Sequence, residues 1–422
     1  MKERTYLCID LKSFYASVEC VDRGYDPMTV NLVVADPTRT EKTICLAISP
    51  AMKKLGVKNR CRLFEIPKNI QYEIAKPRMK LYMEKSAQIF SIYLRYISKD
   101  DIHVYSIDEC FIDVTDYIKL YNKTAKEIAT MLTGAVLKET GITATVGIGT
   151  NLFLAKVALD VTAKHAKDYM GFLNIALFYK TIWTHRPITD IWNIGKGIAN
   201  RLEKYGIYDL KGVANFDEKI LYREFGVNAE LLIDHANGVE PCTIADIHEY
   251  RSKSTSISNG QVLSRGYTFD ECKLIVKEMA EQSVLELVDR KLITDNVSLY
   301  ISYNKNVIKG TGGSFKINER TNSRKKLLKY VVDYYNKTTD RHTLIKRITI
   351  GFNNLVDENY KTIDFFTDLE SEEKENNLLK TVIDIKNKFG KNAILKGHSL
   401  EDCSTEKERN NMIGGHNSGE DE

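Results

Sequence analysis

The sequence predicts a multidomain protein of the α+β class, and three observations carry this prediction. Its 422 residues exceed one ordinary hydrophobic core and suggest three or four modules of about 100 residues each. Residues 5–149 follow the order strand, helix, paired strands, helix, strand. A second α+β pattern occupies residues 254–356, and the stretch between the two patterns is mostly helical.

The first pattern is built from short apolar strands. Residues 5–9 form a buried strand that leads into a helix opening near Ser13, and an amphipathic helix follows from Met79. Two short strands lie within 104–114, and 142–149 alternates as a half-buried strand should. The basic segment 21–78 has weak periodicity, which indicates an insertion rather than a separate core.

The later modules differ in composition. Residues 172–242 are predicted to be mostly helical, with a Gly195-Lys196-Gly197 turn, and 243–253 is predicted to be a polar linker. The Gly turn can dock its backbone amides on a DNA phosphate, or its glycines can simply end a helix. The tail, 357–422, is predicted to contain one helix near 378–389 and to end in a disordered stretch.

Charge separates the body of the chain from its tail. Residues 357–422 carry 9 Lys and Arg against 16 Asp and Glu, whereas residues 1–356 carry 52 against 41. A basic body of this kind favours a polyanionic partner, although a merely soluble surface is the alternative.

The cysteines and the apolar segments exclude two classes of protein. The eight cysteines are scattered without a Cys-x-x-Cys pair, which indicates reduced thiols in a cytoplasmic protein. Since no apolar stretch reaches about 18 residues, we expect neither export nor membrane insertion.

Three carboxylates carry the chemistry. Asp10 ends the first strand, and Asp108 and Glu109 lie where the paired strands meet. Adjacent residues of a regular strand point to opposite faces, so Asp108 and Glu109 reach one site only if a bend intervenes. Close carboxylates repel one another unless hard cations such as Mg²⁺ lie between them. The pattern therefore predicts a two-metal phosphoryl-transfer site, as in polymerases, nucleases and nucleotidyl cyclases.

Seven stretches in order extend this pattern over the whole chain. They are 9–19, Ser106-Ile107-Asp108-Glu109, 145–149 with Ala155-Lys156, the Gly195/Gly197 turn, 261–265, 390–397 and 413–416. Together they resemble the Y-family DNA polymerases, and most closely the Gram-positive branch related to the catalytic subunit of bacterial polymerase V.

The resemblance implies a right-hand architecture with a ferredoxin-like palm. The palm would comprise 1–20 and 79–171, the fingers 21–78, the thumb with its helix-hairpin-helix 172–242, and the DNA-binding little finger 254–356.

The resemblance also implies the site residues. Asp10 and Asp108 would hold two Mg²⁺ ions with the carbonyl of Leu11, and Glu109 would bind the ion that activates the primer 3′ hydroxyl. For the incoming dNTP the implied residues are Phe14, Tyr15 as the steric gate, Lys53 and Lys156. Many relatives place Tyr and Arg where this chain has Pro50 and Lys53, and Lys lacks the bidentate geometry of Arg.

Primer-template DNA would contact Gly195, Gly197, Arg265 and Arg347. In the tail, Thr362-Ile363-Asp364-Phe365-Phe366 is similar to the peptide by which such polymerases bind the sliding clamp, the β subunit, with Ile363, Phe365 and Phe366 as its contacts. The alternative is that the two Phe side chains fold back on the little finger. RecA and accessory SOS proteins are further partners that the resemblance suggests.

The function implied is error-prone, template-directed DNA synthesis past damaged bases during DNA repair and the SOS response. A nucleotidyl cyclase leaves the thumb-like turn and the basic third module unexplained. A catalytically weak, DNA-bound scaffold that recruits repair factors to the clamp is the remaining alternative, and the intact acids argue against it.

Overall fold

The computed structural model describes residues 4–38, 40–252, 255–304, 308–362 and 368–419. The chain forms two compact units, Met1–Tyr250 and Arg251–Glu422. Among the described residues, no helix combines the length and the apolar character needed to cross a bilayer. All eight cysteines are described and are free thiols.

The described part of the first unit contains eight strands and twelve helices. The strands are β1 Tyr6–Leu11, β2 Leu32–Val34, β3 Ala47–Ile48, β4 Glu73–Ala75, β5 Ile102–Val104, β6 Glu109–Asp113, β7 Ala144–Gly149 and β8 Met170–Leu173. The helices are α1 Phe14–Asp22, α2 Pro50–Lys54, α3 Met79–Tyr93, α4 Thr115–Tyr121, α5 Ala125–Thr140, α6 Leu152–Val157, α7 Ile175–Thr181, α8 Lys196–Glu203, α9 Leu210–Ala214, α10 Glu218–Phe225, α11 Asn228–Ala236 and α12 Ile244–Glu249. A π-helical turn, Ala158–Thr162, directly continues α6.

The central sheet has the strand order β5-β6-β1-β7-β8. The first four strands pair antiparallel, and β8 is added parallel to β7. Its ferredoxin-like core therefore carries β1 in the interior, where Leu7, Cys8 and Ile9 are almost fully buried. This placement fixes the ends of β1 and β6 side by side.

Two glycines allow α6 to pack directly on β7. A Cβ at Gly147 would lie 2.1 Å from the carbonyl oxygen of Ala155, and one at Gly149 would lie 2.1 Å from the amide nitrogen of Ala155. Any larger residue would push the helix away. The Gly-x-Gly pattern of the strand thus brings α6, with Lys156, onto the sheet.

The segment 21–78 has a small core of its own, so the expectation of an insertion without one is wrong. A three-stranded sheet, β3-β2-β4, covers buried residues including Val33, Ile48 and Met52. The apolar side chains are too few to show helical or strand periodicity in the sequence, yet Val33 and Ile48 meet because β2 and β3 pair antiparallel.

Two predicted boundaries also differ from the structure. Residues 172 and 173 belong to β8 and not to the helical region that follows. The predicted linker 243–253 contains α12, which begins with a capping box between Thr243 and Asp246. Ile244 is 2% exposed and packs with Tyr6 and Phe111. The segment therefore contains a helix that packs on the central sheet, which its polar composition did not indicate.

The second unit repeats the α+β plan. Its strands are β9 Ile257–Tyr267, β10 Leu292–Tyr303, β11 Thr311–Thr321, β12 Ile345–Asn353, β13 Val356–Asp357, β14 Met412–Ile413 and β15 His416–Asn417. Its helices are α13 Phe269–Asp289, α14 Arg324–Thr338, α15 Leu369–Phe389 and α16 Glu406–Asn410. The sheet order is β11-β10-β12-β9, and α13 and α14 share one hydrophobic core with it.

The tail is folded over residues 368–419, so the helix expected near 378–389 is present within α15, and the disorder expected at the end of the tail is wrong for the residues up to 419. It contains α15, α16 and the β14-β15 hairpin. Arg409 of α16 hydrogen-bonds to Gln261 of β9 at 3.0 Å and to Gln282 of α13 at 3.1 Å. The tail therefore packs on the second unit through buried polar contacts, which hydrophobic patterning does not reveal.

Candidate active site

The two strand ends bring the three acids together. Asp10 and Glu109 are directly opposite each other in the β1-β6 pair. The amide of Leu11 donates to the carbonyl oxygen of Asp108 at 2.8 Å. A tight bend precedes Glu109, since the amides of Tyr105 and Ser106 both donate to its carbonyl oxygen at 3.0 Å. This bend places Asp108 and Glu109 on the same side as Asp10.

Asp10 is largely desolvated and lies close to two other carboxylates. Burial raises the pKa of Asp10 to about 7, and Asp108 and Glu109 add to the shift, while Lys164 and Lys156 oppose it. Asp10 thus lies where negative charge is costly unless a cation shares the site.

Glu109 is held by groups beneath the surface. Its Oε1 lies 2.6 Å from the Lys156 ammonium and accepts a hydrogen bond from the Cys8 thiol at 3.1 Å. Lys156 is 7% exposed and also lies 3.1 Å from Oδ2 of Asp160. Burial alone would lower the pKa of Lys156, but Cys8, Glu109 and Asp160 raise it overall. The lysine expected to reach the triphosphate is therefore a buried, charged partner of Glu109.

Lys164 occupies the more open position. Its ammonium lies 2.7 Å from Oδ1 of Asp160 and 4.0 Å from Oδ2 of Asp10, and its side chain is 46% exposed. This residue was not among those predicted from the sequence. The only local signal was a second Ala-Lys pair, 163–164, eight positions after Ala155-Lys156.

The donor set suits a hard divalent cation. Carboxylate oxygens are the ligands that Mg²⁺ prefers, and burial, with a further contribution from Asp108 and Glu109, raises the pKa of Asp10. Within the part of the chain that the structure describes, no group of three or more His, Cys, Asp or Glu side chains is arranged so that it could hold a metal ion. The Glu109 carboxylate is engaged instead by Lys156 and Cys8.

Tyr15 lies at the start of α1 beside the acids. Its ring stacks on Tyr82 with centroids 4.5 Å apart, and burial and Asp108 raise the pKa of its hydroxyl. Tyr82 is in turn fixed by donating to Glu19 at 2.7 Å. Phe14 is 2% exposed, so its ring packs inside the protein, and its contact with the nucleotide stays a prediction.

The backbone before α1 is unusual. Ser13 has φ 49°, the left-handed region that non-glycine residues seldom adopt. Its hydroxyl is buried without a hydrogen-bond partner among the described residues. The first amides of α1 have no intrahelical acceptors and point out of the helix end, which is a suitable place for a phosphate.

Lys53 belongs to the same electrostatic neighbourhood. Desolvation lowers its pKa, Asp10 and Asp108 oppose this shift, and Lys164 and Lys12 reinforce it. Lys53 follows the Ser49 cap of α2, whose hydroxyl accepts from the amide of Met52. Pro50 occupies the first turn of α2 and is buried.

The predicted DNA contacts lie apart from the acids in the sequence and in different elements. Gly195 caps α8, and Gly197 is its second residue; a Cβ on either would meet nothing within 4 Å. The protein itself therefore does not require glycine here. Arg347 is exposed on β12, opposite Val262 and Ser302.

Arg265 is already engaged within the protein. It is exposed near the end of β9, paired with Glu271 at 2.6 Å. Of the candidate clamp peptide, Ile363, Phe365 and Phe366 lie outside the described residues. Thr362 exchanges hydrogen bonds with Arg320 at the end of β11.

Comparisons with known proteins agree with this geometry. The model of the impB/mucB/samB family matches residues 9–160, and that of its C-terminal domain matches residues 254–365. DNA polymerase IV 2 of Bacillus subtilis (strain 168) is 30% identical over 420 residues, covering 99% of both chains. A relative in the same strain, whose name UvrX designates a UV-damage repair protein, is 30% identical over 422 residues, covering 98% of both chains. The chain belongs to the Y family of DNA polymerases.

The solved Y-family DNA polymerase chimera Dbh-Dpo4(243-245)-Dbh has the same fold. It superposes with a TM-score of 0.62 at 20% identity, covering 84% of this chain and 99% of that one. The predicted multidomain right-hand architecture of the α+β class is thus confirmed.

Membership of the family also fixes the activity. The protein is a DNA-directed DNA polymerase that performs translesion synthesis in DNA repair. The scaffold alternative is not favoured. The family implies template DNA and dNTP substrates, and a general dependence on divalent metal ions.

Proposed function

We propose that this polymerase joins nucleotides at Asp10, Asp108 and Glu109, with two Mg²⁺ ions as the resident metals. The observation that supports this assignment is the cross-strand pairing of Asp10 with Glu109 beside the Leu11–Asp108 hydrogen bond. Asp10 and Asp108 would bind both ions with the carbonyl of Leu11, and Glu109 would bind one. When bound, the ions lower the pKa of the primer hydroxyl and stabilise charge on the phosphate oxygens.

The residues around the acids would bind and orient the dNTP. Lys164 and Lys53 supply positive charge beside Asp10, and the amides at the start of α1 offer donors to phosphate oxygens. Tyr15, supported by Tyr82, would lie under the sugar, where a ribose 2′-OH collides with its ring. Lys156 would act through Glu109 and not by touching the triphosphate.

Primer extension with Mg²⁺ tests the assignment. Asp108→Ala is expected to abolish dNTP incorporation, because it removes a ligand and one charge from the cluster. Asp100→Ala is the matched control, since Asp100 is an exposed acid on a short turn before β5. Full activity of Asp108→Ala with unchanged metal dependence would remove Asp108 from the site.

We also propose a role for each group of elements. We assign the palm to the central sheet, the fingers to the β3-β2-β4 sheet, the thumb to α7–α11 and the little finger to the β9–β12 sheet with its helices. The open space at Gly195 and Gly197 supports close approach of a DNA phosphate. Arg347, and Arg265 if it leaves Glu271, would bind the backbone, which makes DNA binding sensitive to salt.

The sliding clamp is the further partner that we propose, with RecA and accessory SOS proteins as additional candidates. Deleting residues 362–366 is expected to remove stimulation of synthesis by the clamp while leaving clamp-independent extension unchanged. Unchanged stimulation would exclude binding through this peptide.

A further inference from the structure

Asp160 lies between two lysines, one of them buried and the other partly exposed to solvent. Its Oδ2 is 3.1 Å from the buried Lys156, and its Oδ1 is 2.7 Å from the more exposed Lys164. The residue belongs to the π-helical turn Ala158–Thr162. Turns of this kind are rare and occur often at functional sites because they alter the direction of side chains. One carboxylate therefore connects two ammonium groups that both approach the catalytic acids.

On the buried side, Asp160 shares Lys156 with Glu109. The Lys156 ammonium lies 2.6 Å from Oε1 of Glu109 and has three hydrogens to donate. With two carboxylates around it, the ammonium does not depend on Glu109 alone for neutralisation. If the charge of Asp160 were lost, Lys156 would hold Glu109 more tightly, because a buried cation needs a counter-ion.

On the open side, Asp160 restrains Lys164. The Lys164 ammonium is 4.0 Å from Oδ2 of Asp10, close enough to form a direct ion pair after a small rotation. Asp160 holds it at 2.7 Å instead. If this restraint were lost, Lys164 would pair with Asp10 and compete with a divalent cation for the same oxygen.

We propose that Asp160 is a positioning residue that keeps Lys156 and Lys164 from neutralising the metal-binding carboxylates Glu109 and Asp10. The inference rests on the proposed roles of these two acids. It assigns to Asp160 no contact with substrate or metal.

Mn²⁺ binding to the polymerase–primer-template complex without dNTP, measured by electron paramagnetic resonance, tests this directly. Asp160→Asn keeps the size of the side chain and removes its charge. It is expected to weaken Mn²⁺ binding about fivefold, within the usual coupling between charged neighbours. Asp160→Glu is expected to restore most of the affinity. Asp168→Asn is the matched control. Asp168 forms an ion pair of the same length, 2.7 Å, with Lys126, but both of these side chains are more exposed to solvent than Asp160 is.

The decisive variant carries two changes. In a Lys164→Met background, Asp160→Asn is expected to weaken Mn²⁺ binding by only about twofold, since one of the two competing ammonium groups is gone and only Lys156 remains. A merely structural role for Asp160 would instead give the same fold-change in both backgrounds and lower the thermal midpoint in both. That result, or wild-type affinity in Asp160→Asn, would overturn the proposal.

Failure of the underlying site gives a different pattern. If Asp108→Ala binds Mn²⁺ and extends primers as the wild type does, the assignment of the acids is wrong, and the Asp160 proposal is wrong with it. If Asp108→Ala is inactive while Asp160→Asn matches Asp168→Asn, only the role of Asp160 is excluded.

Discussion

Gly147 of β7 lies against Ala155 of α6 so closely that a Cβ on the glycine would stand 2.1 Å from the alanine carbonyl oxygen. The contact has a functional consequence, because the residue after Ala155 is Lys156, which holds Glu109. We therefore expect the distance between the central sheet and α6 to influence the geometry of the proposed catalytic acids.

We predict that Gly147→Ala lowers both stability and activity. The added methyl meets backbone atoms of Ala155 and Leu159, which cannot move aside independently, so α6 must shift. The expected loss is about 3 kcal/mol in the free energy of unfolding, at the upper end for overpacking. Urea denaturation and primer extension on the same preparation measure both effects.

Gly134→Ala is the matched control. Gly134 is exposed in the interior of α5, and its Cβ would meet nothing within 4 Å. This change should stabilise the protein by about 0.5–1 kcal/mol, because alanine restricts the unfolded chain more than glycine does. Equal effects of the two substitutions would contradict the packing argument.

Tyr15→Ala is predicted to increase ribonucleotide incorporation. Removing the ring that stacks on Tyr82 opens the space in which a 2′-OH would otherwise collide. The measurement is the ratio of kcat/KM for rNTP to that for the matching dNTP, expected to rise by about tenfold or more if the steric clash costs over 1.4 kcal/mol. Tyr25→Ala, at a 38% exposed tyrosine after α1, is the control. An unchanged ratio in Tyr15→Ala would remove Tyr15 as the gate.

Glu19 should make stability depend on pH. Burial raises the pKa of this carboxyl, but hydrogen bonds from Arg78, Tyr82 and Arg23 outweigh burial and lower it overall. A depressed pKa stabilises the fold above the unfolded value, about 4.3, and this stabilisation is lost as pH falls through the folded value. Wild type should therefore lose stability on acidification from pH 5 to below 4.

Glu19→Gln tests this dependence. At pH 7 the loss is expected to be about 3 kcal/mol, because Arg78 then keeps Asp22, at 2.6 Å, as its one carboxylate partner among the described ion pairs. The difference from wild type should shrink as the pH falls below about 4, which urea denaturation at several pH values measures. A difference that stays constant with pH would show that Glu19 acts by packing and not by charge.

Local patterns were sufficient for much of the fold. Asp10 was recognisable because a short apolar strand ends at it, and the α+β pattern predicted for residues 254–356 is present as β9–β12 with α13 and α14 because its periodicity is strong. The partners of Lys156 were not recognisable, because its burial depends on the close packing of α6 against Gly147 and Gly149. Sequence spacing shows neither that contact nor the direction of a side chain in a π-helical turn.

The tail shows a second reason why some of the structure could not be predicted from the sequence. The end of the tail is rich in Gly, Asn, Asp and Glu, which indicates disorder when burial is judged from hydrophobicity alone. The ordered structure depends instead on a buried polar network around Glu278 of α13. Such a network forms only when residues more than a hundred positions apart meet, so no local window contains its signal.

We predict strong coupling between Glu278 and Arg409 in that network. Glu278 is 1% exposed, accepts hydrogen bonds from Ser404 and Thr405, and lies 3.7 Å from the Arg409 guanidinium. Desolvation raises the pKa of Glu278 and lowers that of Arg409, so burial disfavours both charged forms and each charge reduces the cost of burying the other. Removing either one alone leaves an unpaired buried charge, at a cost of about 3–5 kcal/mol.

A double-mutant cycle measures this coupling in the free energy of unfolding of the second unit. Glu278→Gln and Arg409→Met together should cost less than the sum of the single changes, because the double variant buries no unpaired charge. Each single variant should also make the segment after α15 more susceptible to limited proteolysis, since the anchor of α16 is weakened. The exposed pair Glu370–Lys374 provides the control cycle, with an expected coupling below about 0.5 kcal/mol. Equal coupling in the two cycles would mean that α16 is held by its hydrogen bonds to Gln261 and Gln282, and not by the buried charge pair.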